Sequence, residues 1–210
     1  MNYKIIATGS AGNALLLDNS ILIECGVSFK DLRPYVKDID VVFLSHIHQD
    51  HFKKSTVKTL AALRPSIRWA IPEYLLDDLL KCGVKPDKID VLELETVYSC
   101  GYFKVETFEL FHDVPNIGWK MFISRKSVFI ATDTCRIDHL EAPQFDYYFI
   151  EANYTEDDIE ERIRAKEASG EYTYEYRTMH THLSKEKADR FLWENAGNNS
   201  VIEYMHGHKE

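Results

Sequence analysis

An excess of basic residues is missing from this chain: 34 acidic side chains stand against 25 basic ones, a net charge of −9. A protein that gripped a long duplex or a folded tRNA by neutralising its phosphates would be basic, so extensive binding of that kind is excluded. Cysteine is scarce. The four residues, Cys25, Cys82, Cys100 and Cys135, form no C-x-x-C pair and no pattern of a secreted disulfide framework. No apolar run approaches the roughly 20 residues that span a bilayer. The chain does not open with a basic flank leading into an apolar segment. The expected setting is therefore the cytoplasm, with reduced thiols and no membrane partner. Low-complexity linkers and internal repeats are also missing.

What is present suits a globular chain. Of 210 residues, 45% are apolar and 12% aromatic, enough for one packed domain spanning 1–210. Short strands are predicted at Tyr3–Ala7, Ala14–Leu17, Ile21–Glu24 and Val41–Ser45. Two glycines mark the Gly9–Asn13 turn, and Asp18-Asn19-Ser20 reads as a hairpin. Ser55 is a plausible cap for a helix to Leu63, and Pro72 is placed to open a helix to Lys81. Further strands are predicted at Trp69–Ile71, Val91–Leu94, Tyr102–Leu110, Lys120–Ser124, Val128–Thr132, Tyr147–Glu151 and Val201–Met205. Thr155 and Ser184 read as caps of helices running to about Ala168 and to Asn195. Strands and helices alternate in blocks, the pattern of an α+β class protein.

Chemistry concentrates in His46-Ile47-His48-Gln49-Asp50-His51, in the loop that leaves the apolar run Val41–Ser45. From one tight loop, His46 and His48 can turn to one point while Asp50 and His51 face a neighbouring one. Neutral imidazoles and a carboxylate suit zinc, with bonds of about 2.0–2.2 Å. Two metals need more ligands than one loop supplies. His112, Asp133 and His206 each follow a predicted strand, where side chains from separate strands can converge on one sheet edge. His208 is the alternative to His206, which is favoured because it follows its strand directly. Bound cations would also bring local positive charge that the formal net charge omits, leaving a short strand or a nucleotide open as substrate.

The order H-x-H-x-D-H, lone His, Asp, late His resembles the metallo-β-lactamase superfamily across essentially the whole chain. Thr8-Gly9-Ser10-Ala11-Gly12-Asn13-Ala14, Phe111-His112-Asp113-Val114-Pro115-Asn116-Ile117-Gly118, Ala131-Thr132-Asp133-Thr134, Ile150-Glu151-Ala152-Asn153 and Thr181-His182-Leu183-Ser184 are similar to motifs of its YycJ/WalJ-type exonuclease branch. The Glu151 and His182 positions are similar to a pair in the ribonuclease Z branch. This resemblance implies a four-layer αββα sandwich and two divalent ions: zinc first, with manganese or iron as alternatives. It implies His46, His48 and His112 on one metal, Asp50, His51 and His206 on the other, and Asp133 bridging. It also implies Asp50 as acceptor for the attacking water and His182, oriented by Glu151, as proton donor to the leaving oxygen. Two departures stand out. The late motif is Met205-His206-Gly207-His208, and no long inserted arm for tRNA is present.

The implied activity is a dinuclear-metal phosphodiesterase or nuclease acting on a single-stranded or terminal nucleic acid. A cyclic-nucleotide phosphodiesterase is the first alternative, favoured by the acidic charge and compact size. A thioesterase or lactonase of the same fold is the second; it would not need the Glu151–His182 pair. The expected partners are a nucleic-acid strand or a nucleotide, with a homodimer left open. Ser184 is expected to start a helix whose free N–H groups can face a phosphate. Tyr172-Thr173-Tyr174-Glu175-Tyr176-Arg177 offers rings and a guanidinium for a strand, or else a packing loop or subunit contact.

Overall fold

The computed structural model describes residues 1–207. The chain divides into two compact units, Met1–Tyr98 and Ser99–Glu210.

In the first unit β1 (Tyr3–Ala7), β2 (Ala14–Leu17) and β3 (Ile21–Ile23) form an antiparallel meander. Asp18 and Asn19 take φ of 43° and 62° at its hairpin, the left-handed pair that a tight two-residue turn requires. After the single-turn helix α1 (Phe29–Leu32) the chain turns parallel. β4 (Val41–Phe43) joins β3, then α2 (Lys54–Leu63) leads to β5 (Arg68–Pro72), and α3 (Leu76–Lys81) to β6 (Ile89–Leu92). The sheet order is β1-β2-β3-β4-β5-β6. Leu22, Val42, Leu60, Trp69 and Ile71 fill its core, each about 1% exposed or less. Burying each contributes on the order of 1.5–3 kcal/mol.

The second sheet takes β7 (Val97–Cys100), which begins in the last two residues of the first unit, then β8 (Phe103–Leu110), β9 (Asn116–Ile123), β10 (Lys126–Ala131), β11 (Tyr147–Glu151) and β12 (Val201–Met205), in the order β12-β11-β10-β9-β8-β7. β8, β9 and β10 are antiparallel, and β10, β11 and β12 are parallel. Three helices complete the second unit: α4 (Glu156–Ser169), α5 (Glu175–Thr181) and α6 (Lys185–Asn195). Phe129 is fully buried between Phe108, with ring centroids 5.1 Å apart, and Phe191, at 5.2 Å. Gly118 lies opposite Phe108 in the ladder, and a Cβ there would stand 2.3 Å from that ring. The missing side chain is what lets the ring lie on the strand.

Mixed sheets with helices place the protein in the α+β class. Four strands, β1, β2, β11 and β12, coincide with the predicted ranges. Thr155 and Ser184 cap α4 and α6 as expected, each accepting from the amide three residues on, Asp158 and Lys187. Ser55 is no cap: α2 begins at Lys54, and Lys53 N donates to Cys25 O at 3.0 Å instead. Pro72 opens no helix either. It is extended and pairs with Leu92, so a 3₁₀ turn at Glu73–Leu75 intervenes before α3. β9 begins four residues earlier than Lys120, because Asn116–Trp119 is buried and paired to β8. No described helix is long and apolar enough to cross a membrane.

Candidate active site

Parallel strands deliver their carboxyl ends to a common edge, and loops leaving that edge are where α/β proteins place reactive groups. The H-x-H-x-D-H loop leaves β4 in this way. His46 and His51 are both fully buried, with ring centroids 4.3 Å apart, and His46 and His48 lie at 4.8 Å. The loop is stitched to its surroundings by backbone bonds: Asn13 N to Asp50 O at 2.7 Å, Cys25 N to His51 O at 2.8 Å, and His51 N to His48 O at 3.0 Å.

Its ring orientations follow from fixed neighbours. The Asn13 side chain accepts from Gly9 N at 2.9 Å, which aims its Nδ2 at His51 Nε2, 2.8 Å away. An amide nitrogen only donates, so Nε2 accepts and the His51 proton sits on Nδ1, 3.5 Å from Glu24 Oε1. Ser45 Oγ lies 2.8 Å from His46 Nδ1, and Tyr74 OH donates to Ser45 O at 2.6 Å. Glu24 is only 4% exposed, takes φ 64°, and its other oxygen accepts from Ser45 N at 3.4 Å. A buried glutamate in the left-handed region is strained by about 1–2 kcal/mol, the kind of strain that gathers at functional sites.

In the second unit Asp133 and His206 follow β10 and β12, and Glu151 ends β11, the three being parallel strands. With His182 they bring one donor atom each to within 4.8 Å of one another. Asp133 and His206 take φ of 58° and 55°, which turns both side chains out of the strand direction. Asn116 holds the Asp133 turn by donating to Thr132 O at 2.9 Å and Asp133 O at 2.7 Å. Glu151 is fully buried. One oxygen accepts from Thr134 N at 2.8 Å, and the other meets His182 Nδ1 at 2.6 Å. Asp133 Oδ1 lies 3.5 Å from His182 Nδ1 and 3.4 Å from His206 Nε2. Asn153 Nδ2 meets His206 at its carbonyl, 3.0 Å, and at ring Nδ1, 3.1 Å. His112 donates from Nδ1 to Thr181 O at 2.7 Å, which leaves Nε2 as its lone-pair nitrogen, 3.9 Å from Asp133 Oδ1.

Two imidazoles differ in their proton affinity. Burial pulls the His112 pKa down, with Asp133 and the Thr181 carbonyl opposing, and the net direction is down. Burial acts the same way on His182, but the Glu151 hydrogen bond and the charges of Glu151 and Asp133 outweigh it, and its pKa is raised. Within one sheet edge there is thus a histidine suited to stay neutral and another suited to carry a proton.

Several expectations find their places here. His46, His48, Asp50 and His51 gather in the first unit; His112, Asp133, Glu151, His182 and His206 gather in the second. His208 lies outside the described residues. The phosphate-facing amides at α6 do not hold up: Lys185 N donates to Tyr154 O at 2.8 Å and Lys187 N to Ser184 Oγ at 3.3 Å. Tyr172–Arg177 is not merely a loop, since Glu175 opens α5. His139 bonds Glu109 O at 3.1 Å. Sequence reasoning missed Asn13, Ser45, Glu24, Asn153 and the Thr181 carbonyl as orienting groups. The turn glycines around Asn13 were the one signal available; nothing marks Glu24 as left-handed.

The donor set fits divalent cations. Imidazole nitrogens whose opposite ring atom is held by Ser45 or Thr181, or faces the Glu24 carboxylate, together with buried carboxylates, are the pattern of oriented metal ligands. The chain belongs to the beta-lactamase superfamily, whose domain model, described as "Beta-lactamase superfamily domain", matches residues 19–194. Among curated proteins it is 23% identical to the exodeoxyribonuclease YycJ of Bacillus anthracis over 149 residues, 64% of this chain and 54% of YycJ. It therefore spans about half the length of that relative. Among solved structures it aligns with YhfI from Bacillus subtilis, a metallo-β-lactamase fold protein, at TM-score 0.76 and 17% identity, over 99% of this chain and 86% of YhfI. The short form of human tRNase Z aligns at TM-score 0.69 and 18% identity, over 99% and 93%. The fold is that of the metallo-β-lactamases.

Proposed function

We propose that this chain is a metal-dependent phosphodiesterase that hydrolyses single-stranded or terminal nucleic acid, with residues 1–210 acting as one catalytic domain. The observation that carries the reading is the contact of His182 Nδ1 with Glu151 Oε1 at 2.6 Å, beside Asp133. Hydrolysis of a phosphodiester expels an alkoxide that must be protonated, and a histidine with a raised pKa on a buried carboxylate is built to donate that proton. A thioesterase, whose leaving group is a thiolate, has less need of it. The exodeoxyribonuclease and tRNase Z names of its relatives support the same reaction class.

In this reading His46, His48 and His112 would hold one cation and Asp50, His51 and His206 the other, with Asp133 available to either. When bound, such a pair lowers the pKa of water and stabilises charge on the phosphoryl oxygens. Asp50 accepts a hydrogen bond from the attacking water and so aligns it. Glu151 accepts from His182 Nδ1 and stabilises the imidazolium, whose other proton, on Nε2, is the one given to the leaving oxygen. Glu24, 3.5 Å from His51 Nδ1, keeps the proton on that nitrogen, and the Nε2 lone pair that Asn13 Nδ2 meets in this structure is the one a bound ion would take. Zinc is the expected ion, with manganese or iron as alternatives for the same nitrogen and oxygen ligands.

The test is to incubate the zinc- or manganese-loaded chain with bis-p-nitrophenyl phosphate, single-stranded DNA, cyclic mononucleotides and a lactone. Release of nitrophenol with strand degradation is expected. Cleavage of cyclic mononucleotides without strand degradation would move the substrate to a small nucleotide. Hydrolysis of the lactone alone would refute the phosphodiester reading.

A further inference from the structure

The segment Tyr172–Arg177 is not used by the mechanism above, yet it is tied directly to it. Its helix, α5, ends at Thr181, whose carbonyl takes the His112 proton at 2.7 Å, and His182 itself is the residue that caps the helix. At the other end of the segment Tyr172 is 85% exposed and makes no hydrogen bond or ring contact among the described residues. Its neighbours are occupied: Tyr174 lies under Lys166, 3.6 Å from the ring centroid, and Tyr176 OH donates to Glu167 at 2.8 Å. Arg177 has a side chain 72% exposed and is paired with Asp113, the residue after His112. The Tyr172 phenol is near enough to act electrostatically on that guanidinium.

We propose that Tyr172 and Arg177 form a docking site for one nucleotide of a single strand next to the scissile bond, the ring stacking on its base and the guanidinium taking its phosphate. This deepens the phosphodiesterase reading and rests on it. A large, water-exposed ring with no partner beside an exposed cation is the pair of groups that a base and its phosphate require. A duplex would not fit, since its base faces are already stacked and the chain's charge of −9 opposes a long polyanion. A single phosphate is less demanding. Arg177 must leave Asp113 to take it, and with 72% of its side chain in water against 22% for Asp113 the arginine is the partner able to move. The placement matters as well: a strand held at α5 is held by the helix that orients His112 and ends in His182.

The test uses the full zinc-loaded chain and a fluorescent, cleavage-resistant phosphorothioate oligothymidylate of about ten nucleotides. Tyr172→Ala should weaken binding roughly 5- to 100-fold, and Tyr172→Phe should restore it, because stacking needs the ring and not the hydroxyl. Arg177→Ala should lower the salt dependence of binding by about one counterion, a change that loss of helix structure alone would not produce. Trp193→Ala, an equally exposed ring on α6, should bind as the wild type does. Unchanged affinity in Tyr172→Ala together with an unchanged salt slope in Arg177→Ala would overturn the proposal. So would a Tyr172→Ala chain that keeps its affinity but passes from dimer to monomer in sedimentation, since the ring would then be a subunit contact. Wild-type turnover of bis-p-nitrophenyl phosphate, measured in parallel, separates the two readings. A chain that binds through these residues but hydrolyses no phosphodiester refutes the enzyme and not the docking site.

Discussion

Replacing Gly26 by alanine is the smallest change that should disable the H-x-H-x-D-H loop of the first unit. The added Cβ would stand 1.6 Å from Asp50 O, 2.1 Å from Asp50 C and 2.8 Å from His51 N. All three are backbone atoms, so no side-chain rotation relieves the overlap. Moving from 1.6 Å to an ordinary contact of roughly 3.4 Å requires the 50–51 peptide to retreat by about 1.8 Å. That shift cannot be made while Asn13 N bonds Asp50 O at 2.7 Å, Cys25 N bonds His51 O at 2.8 Å and Gly26 N bonds Asn13 O at 3.0 Å. Losing three such bonds costs about 3 kcal/mol. A displacement above 1 Å at ligand positions should also lower turnover by more than about 100-fold. Urea unfolding measures the first effect, and dialysis against zinc followed by elemental analysis measures loss of metal. A Gly26→Ala chain with the wild-type urea midpoint and wild-type zinc content would refute the argument.

Four further outcomes follow from the same geometry. His182→Ala should keep its metal but lose turnover of bis-p-nitrophenyl phosphate by roughly 10²- to 10⁴-fold; normal turnover would remove the proton-donor role. Glu24→Gln weakens the partner that orients His51, so zinc affinity, read by competition with a chelating dye, should fall roughly 10- to 100-fold. Gly118→Ala pushes a Cβ to within 2.3 Å of the Phe108 ring and 2.7 Å of Ile130 O, and should cost about 1–3 kcal/mol in thermal unfolding. Asp146 is held below the usual carboxylate range first by Lys126 and then by Ser127 N, so its contribution is present at neutral pH and fades as pH falls through the depressed value. The stability gap between wild type and Asp146→Asn, from urea midpoints, should therefore shrink in acid, and a gap that widens would contradict the assignment.

Strand-end chemistry was legible in the sequence because the signals are local. Apolar runs such as Val128–Ala131 and Tyr148–Ile150 mark strands covered on both faces, and a polar residue just after each run falls at the strand's carboxyl end. Asp133 was placed in this way, whereas Glu151 and His182 came only with the family resemblance. The H-x-H-x-D-H spacing carried the loop ligands, and Thr155 and Ser184 announced their helices because a cap depends on its own next three residues. The orienting groups are different. Asn13 meets His51 across 38 positions, Thr181 meets His112 across 69, and Glu24 takes a backbone conformation that its side chain disfavours. Such contacts are fixed by tertiary packing, which no local pattern encodes. α5 was missed for a related reason: Glu175 opens it and is fully buried, held by Lys166 at 2.6 Å, whereas its sequence reads as polar loop.

The most direct test of the central claim is the number of divalent ions bound per chain, measured by elemental analysis after zinc loading and exhaustive dialysis, in the wild type and in Asp133→Ala. Two equivalents in the wild type, with at least one lost from Asp133→Ala, are expected if the histidines and aspartates of both units serve as ligands. A wild-type chain that takes up no zinc, manganese or iron would contradict the account.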